Sequence, residues 1–500
     1  MPPWRFVDNG SVSALSTTCP QFGTETAGRS GPPAAYDPQV SPRPGRSEHR
    51  ATDREIWRLA VPAFLALVAE PLFLLGDAAV VGRLGTTELA GLGIAAVVLQ
   101  TAVGLCVFLA YGTTASVARR LGAGDLRGAL AQGVDGLWLA VGIGAVTTVA
   151  GVALTGPLVA AFGAGAEISE QATTYLRIAF LGTTPLLLML AATGALRGML
   201  DTRTPLYVAV GGNVLNIVLN VVLVYPVGLG IAGSAIGSVV AQVLSAAVLC
   251  TVVVRGARAQ GAPLGPDLPG IRLAARAGVP LVVRTLTLRA AILATTYAVT
   301  LGAAPGAGLD VDLATHQLAM TLWGFLAFVL DAIAIAAQAL TGRTLGAGDV
   351  EATRRLTRRM LRWGVVSGVV TGVLLAAASP LLGPLFSRDD AVHEALVPVL
   401  LIAALGQPVA GIVFVLDGVL IGAGDGRYLA LGGLVTLLVY LPVALLAASW
   451  GGLLALWVAY TTVFMGSRMV VLVLRERGDA WVVTGAGTPG PARPRSSTES

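Results

Sequence analysis

Glu70 and Asp77 stand seven residues apart in a run otherwise apolar enough to cross a membrane. Two helical turns separate them, so both carboxylates project from nearly the same face. Pro71 lies between them; it removes a backbone hydrogen bond and can kink the helix. Acids at bilayer depth are expensive and mark a transport pathway, a proton relay or a paired counter-ion. Further along, Asn216-Ile-Val-Leu-Asn220 sets two amides one turn apart. Amide oxygens can coordinate a hard cation or hydrogen-bond a protonated carboxyl. Ser238, in the following apolar run, is placed to join them across a cavity. The structural alternatives are a salt bridge for each acid and ordinary interhelical bonding for the amides.

The second half of the chain carries a different set. Arg284 and Arg289 share one apolar run; Asp331 and, seven residues on, Gln338 share the next, and Asp417 follows. An Arg284–Asp331 pair would relieve two isolated charges, and Gln338 and Asp417 complete a polar network around it. His316 and His393 read as solvated residues near helix ends. The sequence holds no Walker lysine motif, metal-ligand cluster or nucleophile elbow. Enzyme chemistry and a cofactor are therefore not expected, and energy for any transport must come from an ion gradient. Protons are the first reading for the coupling ion. Sodium at Asp77, Asn216 and Asn220 is the second.

The elements that position these residues follow from composition. Hydrophobic residues make up 55% of the 500 and charged residues 12%, with a mean hydropathy of +0.77. A soluble globule carries roughly 25% charged residues. The chain therefore reads as an all-α polytopic membrane protein. Spans need about 20 apolar residues each, and breaks from Gly, Pro and charge give twelve, from near residue 58 to near 474. The net charge of +5 comes from arginine alone, as there is no lysine. Sixteen gap arginines fall in alternate gaps, against Arg83 and Arg388 in the others. Such asymmetry is a topology signal rather than a nucleic-acid footprint, and it puts both termini in the cytoplasm. Cys19, Cys106 and Cys250 form no spaced set.

An internal repeat divides the chain. Leu121-Gly-Ala-Gly-Asp125 recurs letter for letter as Leu345-Gly-Ala-Gly-Asp349, an offset of 224. Gly194–Asp201 faces Gly418–Asp425 at the same offset, and the first helices match at Pro62 and Pro280, an offset of 218. Six extra residues thus fall in the second half's first outer loop, around Pro305–Asp310. The expected organisation is a disordered tail over 1–53, a first lobe over 54–256, a linker over 257–271, a second lobe over 272–475 and a disordered tail over 476–500. A parallel repeat of two six-helix halves fits transporters that bind substrate between the halves and rock.

Several motifs, in order, resemble one family. Asp77-Ala-Ala-Val-Val-Gly-Arg-Leu-Gly85, Arg119-Arg-Leu-Gly-Ala-Gly-Asp125, Asn216-Ile-Val-Leu-Asn220, His316-Gln317, Asp331 with Ala336-Ala-Gln-Ala-Leu340, and Leu416–Asp425 together resemble the multidrug and toxic compound extrusion (MATE) family, its DinF-like branch in particular. The resemblance covers about residues 54–475. It implies twelve helices in two pseudo-symmetric lobes forming a V, and antiport of organic cations or drugs against protons or sodium. It also implies a cation or proton site at Asp77, Asn216 and Asn220. Many DinF-like members carry an aspartate where this chain has Asn220, so one carboxylate is missing here. Arg284 stands where some members use an acid. The expected partners are a cationic, amphipathic small molecule and the lipid bilayer, with no nucleic acid, for a protein working as a monomer in the plasma (inner) membrane. Competing readings are export of an organic anion or metabolite, and flipping of a lipid-linked precursor. The flippases typically have fourteen helices rather than twelve.

Overall fold

A computed structural model describes residues 46–302 and 307–486, and among them the chain is helical with no strand. The first half comprises α1 (Arg46–Val81), α2 (Thr86–Leu105), α3 (Phe108–Gly122), α4 (Leu126–Ala160), α5 (Ala166–Leu181), α6 (Thr183–Gly198), α7 (Arg203–Val224) and α8 (Gly230–Ala259). The second comprises α9 (Leu268–Gly302), α10 (Ala307–Gly346), α11 (Val350–Phe386), α12 (Asp390–Gly422), α13 (Gly426–Ala459) and α14 (Met465–Arg477). A π-helical turn, Tyr460–Phe464, joins the last two.

Length and apolarity qualify ten runs as spans, and the pair α5–α6, bent by 47°, makes an eleventh. Gly426–Arg477 is 52 residues long, about twice what a bilayer needs. It breaks at Gly452, whose φ of 61° and ψ of −152° are not helical. Dividing it there gives the twelve spans read from the sequence. Large apolar side chains such as Leu405 and Trp450, 81% and 89% exposed, lie on the outer surface, as lipid-facing residues must.

The repeat is visible in the turns. Gly124 and Gly348 both take φ +79°, ending one helix, and Asp125 and Asp349 then cap the next. Their carboxylates accept from the Gly128 and Ala352 amides at 2.7 and 2.8 Å. A carboxylate at that position satisfies an amide that the helix itself cannot. The second such pair is asymmetric: Gly424 has φ +76°, whereas its repeat mate is Leu200 at φ +64°, a strained value for a side chain with a Cβ.

The halves meet face to face on the arginine-rich side, where α3 packs on α10. A Cβ on Gly122 would lie 1.9 Å from the Arg343 carbonyl oxygen, and one on Gly346 would lie 2.0 Å from that of Arg119. Both pairs are related by the same offset of 224, so the contact is a pseudo-two-fold seal. Arg343–Glu55 at 2.7 Å and Arg359–Asp53 add ion pairs across it.

Two boundaries differ from the sequence reading. Helix α1 is already formed at Arg50, because Asp53 bonds Arg359 and Trp363 (Nε1 to Oδ1, 2.9 Å) and Ile56 is buried. Residues 478–486, assigned to a disordered tail, are ordered, with Trp481 only 1% exposed. Residues 1–45 and 487–500 of the expected tails, and 303–306 of the expected loop, lie outside the described residues.

Candidate functional site

Helix α1 contains Pro62 and Pro71, and each deprives a carbonyl four residues earlier of its donor. The carbonyl freed by Pro62, that of Arg58, accepts from the Thr202 hydroxyl at 3.5 Å. Near Pro71, Asn213 of α7 donates its amide to the Ala69 carbonyl. The hinge region of α1 is therefore tied by side chains from α7 and the turn before it.

Asp77 sits just beyond, 3% exposed, and its carboxylate accepts three hydrogen bonds. Asn220 Nδ2 donates to Oδ1 at 2.9 Å, the Ser234 hydroxyl donates to the same oxygen, and Tyr175 donates to Oδ2 at 2.9 Å. Asn216 stands one layer away, donating to Ser238 Oγ at 2.9 Å and exchanging longer bonds of 3.4 and 3.3 Å with Asn220. Four helices, α1, α5, α7 and α8, thus converge on one acid. Asn216 and Asn220 face inward together because they are four residues apart, and both are buried.

Glu70 does not join this cluster. It is exposed to a cavity of about 340 Å3 that also meets Asn213, Asn216, Gln242 and Arg197. Asp77 instead borders an adjoining cavity of about 240 Å3, walled by Phe73, Leu92, Tyr175 and Ser238; it shares Phe73, Gln100, Ser238 and Gln242 with the first.

The second half holds its charges differently, and the Arg284–Asp331 pair expected from the sequence is not made. Arg284 of α9 donates instead to Asp417 Oδ2 of α12 at 2.7 Å, and Arg468 of α14 donates to the same oxygen. Asp417 lies between the two arginines, whereas Asp331 on α10 feels Arg284 and Arg197 only through space. Gln338 donates to the Tyr111 carbonyl, bridging the halves. A cavity of about 280 Å3 lies here, lined by Arg284, Arg468, Asp331 and the rings of Trp323, Phe414 and Tyr460. Asp331 and Tyr111 also border the 340 Å3 cavity, so the two adjoin. His316, read as solvated, is 1% exposed, bonds Thr296 at 3.2 Å and lies edge-on to Trp457. Its position inside α10, rather than at a helix end, accounts for the burial.

Sequence reasoning missed Tyr175, Ser234 and Arg468. Ser234 had a signal, lying one turn before Ser238, and Arg468 had another, a charge inside an apolar run. Tyr175 had none, since a tyrosine in a membrane helix commonly faces the interface.

With this geometry in hand, comparison with known proteins is informative. The MatE family profile matches residues 62–222 and 292–446. Protein DETOXIFICATION 44, chloroplastic, of Arabidopsis thaliana is 31% identical over 431 residues, covering 83% of this chain and 80% of the relative. DNA damage-inducible protein F of Escherichia coli is 29% identical over 304 residues, 60% of this chain and 65% of the relative. The outward-facing conformation of a multidrug resistance MATE family transporter superposes with a TM-score of 0.76 at 21% identity, covering 85% of this chain and 95% of that one.

Proposed function

The chain belongs to the MatE family of membrane transporters, and from that premise we propose that it exports small amphipathic organic molecules in exchange for an ion, by alternating access of its two lobes. The observation that carries this reading is Asp77, a buried acid held by three donors from three other helices beside two prolines of its own helix.

The chemistry of those donors suggests how an ion could move the helix. An ionised carboxylate only accepts hydrogen bonds, and a protonated one must also donate. Hydroxyls at Ser234 and Tyr175 can rotate and accept. The Asn220 amide nitrogen cannot, so a proton on Oδ1 weakens the bond from α7 to the Asp77 side chain, one of several ties between the two helices. With that tie weakened, α1 can bend at Pro62 and Pro71. A proton that binds one bend state more tightly than the other shifts their populations. Sodium at this site would need oxygens around Asp77, and Asn220 presents its amide nitrogen. Its amide would have to turn over, which favours the proton reading.

Under the positive-inside rule the arginine-rich seal is cytoplasmic and the cavities beside Asp77 and Glu70 face outward, and we propose the plasma membrane as the location. Glu70, exposed in the cavity of about 340 Å3, suits a cationic substrate. A second reading, export of an organic anion, is favoured by Arg284 and Arg468. Both point into the aromatic-walled cavity and share one oxygen of Asp417.

Proteoliposomes with imposed proton or sodium gradients and a panel of cationic and anionic dyes test this. A proton gradient should drive dye movement, and Asp77→Asn, of the same shape, should abolish it. Stimulation by neither gradient would end the antiporter reading, and unchanged transport by Asp77→Asn would remove Asp77 from it.

A further inference from the structure

Arg119 is a cation with no carboxylate partner among the described residues. It lies in the last turn of α3 and is 1% exposed. Its guanidinium donates to three backbone carbonyls, all from the second half of the chain. Nη1 reaches Ala423 at 2.7 Å, Nε reaches Gly485 at 3.3 Å and Nη2 bonds Val483. A buried charge is tolerated only when hydrogen-bonded, so Arg119 depends on those carbonyls staying in place.

Two of the three belong to the segment that follows α14. That segment is fastened to the second half at several points. Trp481 packs among Leu345, Met360 and Leu472, and its Nε1 donates to the Glu476 carbonyl at 3.0 Å. Arg354 donates to the Gly478 carbonyl at 3.2 Å, pairs with Asp479 and covers the Trp481 ring at 5.9 Å. The Gly485 amide donates to Leu345 at 3.0 Å, within the Leu345–Asp349 repeat motif. The segment is thus rooted in one half by a tryptophan anchor and closes over a cation of the other. It lies where Gly346 abuts the Arg119 backbone, beside the pseudo-two-fold seal.

We propose that residues 478–486 are a strap that latches the arginine-rich mouth shut, so that opening toward that side requires Arg119 to leave the Val483 and Gly485 carbonyls. The segment after α8 at the repeat offset packs on its own half instead, with Ala262 buried and the Leu264 carbonyl accepting from Trp138, while Arg343, the repeat mate of Arg119, pairs with Glu55. The strap therefore biases an otherwise symmetric seal toward the state in which it is closed. The proposal rests on the alternating-access reading, and labelling without any gradient reports it whether or not an ion drives transport.

The test uses the full chain in lipid nanodiscs, with Cys19, Cys106 and Cys250 replaced by serine. Ser116→Cys reports the mouth, because Ser116 lines the space of about 200 Å3 beneath Arg119 and Ala486. Gln100→Cys reports the cavities on the far side. Deleting residues 478–500, or Trp481→Ala, should speed maleimide labelling at position 116 about tenfold, as expected when a charge-assisted bond is lost from one state only. Labelling at position 100 should slow. Deleting residues 487–500 alone should change neither. Equal rates at position 116 with and without the strap would overturn the proposal. So would faster labelling at both positions, which marks general loosening, or the same response to the shorter deletion.

Discussion

The two halves of this transporter share a repeat but not a chemistry. At the first-helix offset of 218, Asp77 falls on Thr295; at the offset of 224, Asn216 falls on Tyr440. Thr295 and Tyr440 are also bonded, hydroxyl to hydroxyl at 2.7 Å, in the interior of the second half. One duplicated position thus holds an acid among amides in the first half and a closed pair of hydroxyls in the second. The second half keeps its charges elsewhere, with Asp417 neutralised by two arginines. A carboxylate with hydroxyl partners can change its bonds when an ion arrives. One clamped between two guanidinium groups is already neutralised. Under the proposed ion exchange this is a division of labour, in which the first half responds to the ion and the second holds its helices in register.

That division can be broken at the second half first. Asp417→Ala leaves Arg284 and Arg468 buried without a carboxylate, and removing one partner of a buried pair costs about 3–5 kcal/mol. A fall in thermal stability much larger than that of Asp77→Asn would support a structural role for Asp417. Equal stability of the two variants would count against it. Next in size, Thr295→Asp puts an acid at the mate of Asp77 with Tyr440 as its one hydrogen-bonding side chain across the helices. Lacking the other donors, it should lose more than about 2 kcal/mol, the range for a buried polar group without full compensation. A stable variant with new ion dependence of transport would show instead that the repeat retains the site. The smallest effect belongs to the turns. Gly424→Ala should cost about 1 kcal/mol for a side chain forced to positive φ, the strain Leu200 already carries in the first half. Chemical denaturation or a melting curve would read it.

Much of the fold was legible because three simple signals agree. Apolar runs mark spans, arginine marks a side, and the offset of 224 marks the halves. Asp77, Asn216 and Asn220 stood out because a polar side chain among valines and leucines is conspicuous. Partner choice was not legible. Arg284 could reach either Asp331 or Asp417 from sequence alone, and only the assembled helices bring it to 2.7 Å from Asp417. Arg468 escaped notice although it is a charge inside an apolar run, in the first turn of α14. The segment after α14 has a tail's composition, Gly, Pro, Ser and Arg, and only Trp481 hinted that part of it packs. Its order depends on carbonyls meeting Arg119, a contact between residues more than 360 positions apart.

The glycines of the seal carry a last consequence. Gly122 and Gly346 each lie against the other half's backbone so closely that one added carbon has nowhere to go. A side chain at either site would act as a wedge, felt only while the mouth is shut. It would spare every bond around Asp77 and, under the proposed alternating access, disfavour the shape in which this mouth is shut. Single-atom changes on this line offer a way to trap the opposite shape for study without touching the residues that meet ion or cargo.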